Sequence, residues 1–141
     1  MTNNSLPRGL RNCNPGNIRL SPVTYAGEVK PSQDAAFKQF ASMAYGYRAV
    51  FMLLKSYIRR GFDTIRLIIN RYAPPSENST GSYVATVARM AAVSPDMKVD
   101  AADAELMKAI VSAISFVENG RTACKEDVEK GWQMASAEGG R

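Results

Sequence analysis

Residues 100–120 read DAADAELMKAIVSAISFVENG, and this stretch decides the architecture. Leu106, Ile110, Ala113, Ile114 and Val117 recur at the three- and four-residue spacing of one face of an α-helix. Asp100 and Asp103 are both suitable N-caps, and Asn119-Gly120 is a helix stop. The most hydrophobic helix of a chain belongs inside it, so the other elements are expected to pack around this one. Glu118 follows Ile114 by four residues and prolongs the apolar stripe. It also sits in the last turn, where the helix dipole contributes negative potential. Poor solvation and a negative helix end both raise a carboxyl pKa. A general acid working near neutral pH needs such a place; the plain alternative is an ordinary surface Glu beside a Gly C-cap.

Upstream of this stretch the pattern stays helical as far as Ala44. Tyr47, Val50, Phe51, Leu54 and Ile58 form one stripe, with Gly61 as its stop. Asp63 or Thr64 caps a short helix bearing Ile65, Ile68, Ile69 and Tyr72, which Pro74-Pro75 ends. A polar stretch at 76–80 leads to a third helix with Tyr83, Val84, Val87, Ala88 and Ala91. Downstream, an amphipathic helix from about Lys125 to Ala137 carries the single Trp, Trp132, whose bland role is core packing. Nothing helical is expected before Asn14. There, Asn14-Pro15-Gly16-Asn17 and Pro22 break the chain, and extended pieces at Ile18–Leu20 and Thr24–Val29 suggest a small β-hairpin or irregular sheet. Phe37 and Phe40 then return the chain to the core. The expectation is a mainly α (α+β) domain of five helices and a small hairpin, spanning residues 1–141 as one unit.

Composition narrows the chemistry. The 141 residues, 45% hydrophobic and 22% charged, suffice for a core without staples. No apolar run is long enough to span a membrane, and Met1–Ser5 lacks the features of a secretory signal. The net charge of +5 favours polyanions. Its densest cluster, Lys55, Arg59, Arg60, Arg66 and Arg71, reads as a solvated helix face rather than a nucleic-acid patch, so no nucleic-acid partner is expected. There is no His, which removes Ser-His-Asp and Cys-His catalysis and His-ligated metals. Cys13 and Cys124 are too few for a zinc site and are either free thiols or one disulfide. No cofactor is expected. Carboxylates, tyrosines, Ser and Lys remain.

Several segments together resemble the lysozyme-like superfamily of goose-type lysozymes and lytic transglycosylases. Ile68–Ala73, followed by Thr80-x-x-Tyr83-Val84 and Val87, is similar to the late segment of the transglycosylases. Ala73 stands where they often have Asn, and Ser79 where they have Glu. Phe37–Phe40 and Gly46–Ala49 look like the substrate-binding turn and following helix, and Asn14–Arg19 with Tyr25-Ala26-Gly27 resembles the hairpin segment of phage-borne members. The superfamily's catalytic Glu ends a helix that precedes the hairpin. Here the matching apolar run, Ala109–Gly120 with Glu118, follows it. The resemblance therefore implies a circular permutation, with Cys13 and Cys124 brought close in space.

The resemblance implies cleavage of the β-1,4 bond between N-acetylmuramic acid and N-acetylglucosamine in bacterial peptidoglycan, with Glu118 as general acid and base. A lone carboxylate gives a 1,6-anhydro product; a second one, at Glu28, Asp34 or Glu77, gives hydrolysis. Tyr83 and Thr80 are the implied catalytic auxiliaries, and Gln39, Tyr72, Asn78 and Glu28 the implied sugar contacts. A monomeric, phage-encoded protein is expected, made in the bacterial cytoplasm and acting at the cell wall or within the virion. The alternatives are a non-catalytic virion structural or glycan-binding protein on the same fold and, last, a basic nucleic-acid binder.

Overall fold

Side-chain caps set the helix starts. Ser42, Thr64 and Asp103 each accept the backbone N–H three residues on, from Tyr45, Leu67 and Leu106. Thr64 and Asp103 are thus the caps among the pairs of candidates. Asp63 instead pairs with Lys98 at 3.0 Å. In the computed structural model, which describes residues 6–73 and 79–137, the elements are as follows. A single turn α1 (Arg8–Arg11) precedes strands β1 (Glu28–Val29) and β2 (Gln39–Phe40). Helices α2 (Met43–Arg59), α3 (Ile65–Tyr72), α4 (Thr80–Ala91), α5 (Ala104–Asn119) and α6 (Lys125–Ala137) follow. The protein is mainly α with a small antiparallel sheet, as its patterning predicts.

Two helices share the centre. Met107, Ile110, Ala113 and Ile114 of α5 and Ala49, Phe51 and Leu54 of α2 are fully buried. Trp132, partly buried, meets Phe51 edge to face at 5.2 Å, so it packs against the core. Helix α6 lies against α2 at Gly131, where an added Cβ would come 2.7 Å from Tyr47 Cβ and 2.9 Å from the Arg48 nitrogen. Neither neighbour is the loose end of a side chain. Gly131→Ala is therefore expected to destabilise by about 1–2 kcal/mol despite the better helix propensity of Ala. Gly81→Ala, where the new methyl meets nothing within 4 Å, is expected to be neutral or stabilising. Urea melts of the two variants provide the check.

The N-terminal third departs from expectation twice. The turn α1 does precede Asn14, making six helices among the described residues. One turn is too short to show a period. The β element also pairs differently. Glu28–Val29 pairs with Gln39–Phe40, in register Glu28 with Phe40, while Arg19 bridges Phe37. The expected partners 18–20 and 24–29 therefore do not form a hairpin with one another; both lie against 36–40. Asp34 helps to set this up, because its carboxylate accepts the N–H groups of Ala36 and Phe37 and turns the chain. Buried Asn14 holds the preceding loop, bonding both backbone groups of Ile18 and the carbonyl of Lys38.

Both cysteines are free thiols, Cys13 half-buried and Cys124 exposed. No described helix is long and apolar enough to cross a membrane.

Candidate active site

Helix α5 ends where the first loop begins its return to the sheet, and the junction is built from adjacent residues. Buried Asn119 donates from Nδ2 to the Pro15 carbonyl at 2.8 Å, which docks the Asn14–Asn17 turn on the helix end. Asn17 has φ +50°, a left-handed conformation that Asn tolerates better than most residues. From there its Nδ2 donates to Glu118 Oε1 at 2.8 Å. On the other side, the hydroxyl of Tyr83 in α4 donates to Glu118 Oε2 at 3.0 Å. Each oxygen of the carboxylate thus accepts one donor.

Glu118 lines a cleft of about 490 Å³ between the 16–25 loop and helices α2 and α3. Arg19, Phe37, Leu53, Tyr57 and Tyr72 share its walls, and Glu118 is the single carboxylate among the described residues that line it. Burial raises the Glu118 pKa above its ordinary value of 4.5; the Asn17 and Tyr83 hydrogen bonds and the Arg19 charge act against this rise. The result is a half-buried acid whose conjugate base has two donors waiting for it. That pairing suits a group that must give up a proton and take one back. Burial also pushes the Tyr83 and Tyr72 phenols well upward, so both stay neutral donors.

The remaining expected site residues are placed as follows. The Tyr72 hydroxyl donates to the Gly16 carbonyl at 2.6 Å, so Tyr72 lines the cleft and also braces its loop. Thr80 is not among the residues that line the cleft. It is buried, and its hydroxyl donates to the Ala73 carbonyl at 2.7 Å, tying the start of α4 to the end of α3. Glu28 lies outside the cleft, its side chain 2% exposed and paired with Lys38 at 3.0 Å. Gln39 likewise does not line the cleft; its Oε1 accepts the Gln33 N–H at 2.9 Å. Asp34 is held by Arg8 at 2.6 Å and by Asn12, which leaves its carboxylate far below the usual range. Asn78 and Glu77 lie outside the described residues. Sequence reasoning did not select Asn17 or Arg19. The only local signal was the turn Asn14-Pro15-Gly16-Asn17, which marks a bend without naming what its side chains reach.

The Tyr83 hydrogen bond stabilises the carboxylate form. Tyr83→Phe is therefore expected to raise the Glu118 pKa and move the alkaline limb of any Glu118-dependent rate to higher pH. The rate itself should fall roughly tenfold or more. A pH–rate profile of the variant tests both.

Fold and site together define a small, mainly helical protein whose cleft presents one acid between an amide and a phenol donor. The chain belongs to the family of Protein P5 of Pseudoalteromonas phage PM2, with which it shares 33% identity over 135 residues, covering 92% of this chain and 82% of that protein. No family model matches the chain.

Proposed function

We propose that this protein is a peptidoglycan-cleaving muramidase of lysozyme-like type, with Glu118 as its acid and base. The observation that carries the reading is the half-buried Glu118 in a cleft, held between Asn17 and Tyr83. In this reading α5 takes the part of the catalytic helix that precedes the hairpin in the lysozyme-like superfamily, so the chain is a circular permutant. The likeness to a phage protein supports a phage origin; on this reading the enzyme reaches the cell wall during entry or release.

Protonated Glu118 gives its proton to the glycosidic oxygen as the bond to the muramyl C1 breaks. The carboxylate left behind is stabilised by the Asn17 amide and the Tyr83 hydroxyl. With a single carboxylate among the described cleft residues, the second half follows the lone-acid route. Glu118 takes the proton of the muramyl 6-hydroxyl, and that oxygen closes on C1 to give a 1,6-anhydro end.

Mass spectrometry of the muropeptides released from purified sacculi tests the proposal, and anhydro ends are expected. Reducing ends would replace the lone-acid route with hydrolysis by a second carboxylate. Failure to release any soluble fragment would overturn the enzymatic reading in favour of a non-catalytic virion or glycan-binding role.

A further inference from the structure

The cleft beside Glu118 does not end at its own walls. Val23, Tyr25 and Leu53 line it and also line a second hollow of about 550 Å³, so the two form one groove. The second lobe lies between the 23–26 loop and a stripe of α2 running from Arg48 through Met52 and Ser56 to Arg59, with Arg60 as the cap just beyond. Its charge is one-sided. Among the described residues, three arginines line it and no carboxylate does. Arg48 is buried in its floor, whereas Arg59 and Arg60 are exposed. The Arg60 guanidinium is pre-ordered, lying over the rings of Tyr57 and Phe62 and donating to the Ser56 carbonyl. Neither exposed arginine has an ion-pair partner among the described residues. A guanidinium presents a planar fork of donors that suits a carboxylate in two-point contact. Met52, Leu53 and Val23 supply an apolar wall for the aliphatic part of whatever carries that carboxylate.

We propose that this second lobe is a subsite for the carboxylate-bearing stem peptide attached to the glycan, with Arg59 and Arg60 as its anion-binding residues. The inference rests on the muramidase reading, because it takes the polymer lying across Glu118 to be peptidoglycan. A sugar chain whose lactyl groups are blocked by peptide offers no charge of its own, so its anionic groups are those of the peptide. The arginine end of the groove would then favour glycan that still carries peptide over glycan already stripped of it.

The test is a binding titration with the full chain carrying Glu118→Gln, which keeps the probes whole. The probes are a peptide-bearing tetrasaccharide of alternating N-acetylglucosamine and N-acetylmuramic acid, and the same compound with its peptide carboxylates amidated. The charged probe is expected to bind about tenfold or more tightly than the amidated one, at low salt more than at high salt. Adding Arg59→Gln and Arg60→Gln should remove the difference, by weakening the charged probe far more than the amidated one. Equal affinities in the Glu118→Gln chain, or a charge preference that survives both arginine substitutions, would overturn the subsite alone. Failure of both probes to bind would overturn the subsite and the muramidase reading together.

Discussion

On the proposed muramidase function, Glu118→Gln is expected to lower peptidoglycan cleavage by about 10²–10⁴-fold, the usual worth of a positioned general acid, while leaving the protein folded. Gln is nearly isosteric, and its amide fits the existing partners. Its oxygen accepts from Asn17, and its nitrogen donates to the Tyr83 hydroxyl, which can turn to accept. The proton the reaction needs is the only thing removed. Stability should shift in the opposite sense to activity. Burial raises the folded-state pKa of Glu118 above its ordinary 4.5, so the folded chain binds this proton more tightly than the unfolded chain does. That contribution to stability is complete below about pH 4.5 and is lost as the pH rises through the folded-state value. Above it the wild-type protein holds a partly desolvated charge that the Gln variant lacks. Thermal melts at pH 8 and pH 4 should show the variant as stable as wild type or more so at the higher pH, with the gap closing at the lower. A variant that keeps full cleavage activity would remove Glu118 from the mechanism.

Lys38→Met is expected to cause the largest loss of stability, about 3–5 kcal/mol, because it strands the buried carboxylate of Glu28. For a chain of this size the melting temperature should fall by on the order of 10 °C or more. The side chains of Lys38 and Glu28 are 0% and 2% exposed. The ammonium donates to both Glu28 oxygens, at 3.0 and 3.2 Å, and to the Val23 carbonyl at 2.7 Å, and it faces the Tyr25 ring. It therefore ties the sheet to the loop that walls both lobes of the groove. Lys38→Met combined with Glu28→Leu should recover much of the stability, because no charge is then left buried. Substrate affinity should stay low, since the Val23 carbonyl has lost its anchor. Melts and binding of the single and double variants separate the two effects. A single variant that melts within about 1 kcal/mol of wild type would show that the pair is not holding the loop.

The helices were legible because their information is local. The stripe from Leu106 to Val117, the caps at Thr64 and Asp103, and the stop at Gly120 all follow from three- and four-residue spacings. The same local logic marked Glu118 as an acid at an unfavourable helix end, and marked Tyr83 as an apolar-face residue with a hydroxyl. It did not settle the strand pairing because residues 18–20 and 24–29 are equally extended, and only the position of 36–40 shows with which segment each one pairs. Thr80 and Glu28 show a related limit. Both residue types suit a glycan site, but one is used to join α4 to α3 and the other to neutralise a buried lysine. A residue's type does not reveal its partner.

By itself, the sequence determined that this is a His-free, mainly helical protein whose central apolar helix ends in an acid. Tertiary structure alone decided that Asn17, 101 residues away, would meet that acid, that Tyr83 would meet it from the other side, and that Arg59 and Arg60 would line the same groove. The physical reason is one of range. Periodicity and capping act within a turn or two of helix, whereas a hydrogen bond across 101 residues exists only once α5 and the first loop have packed together.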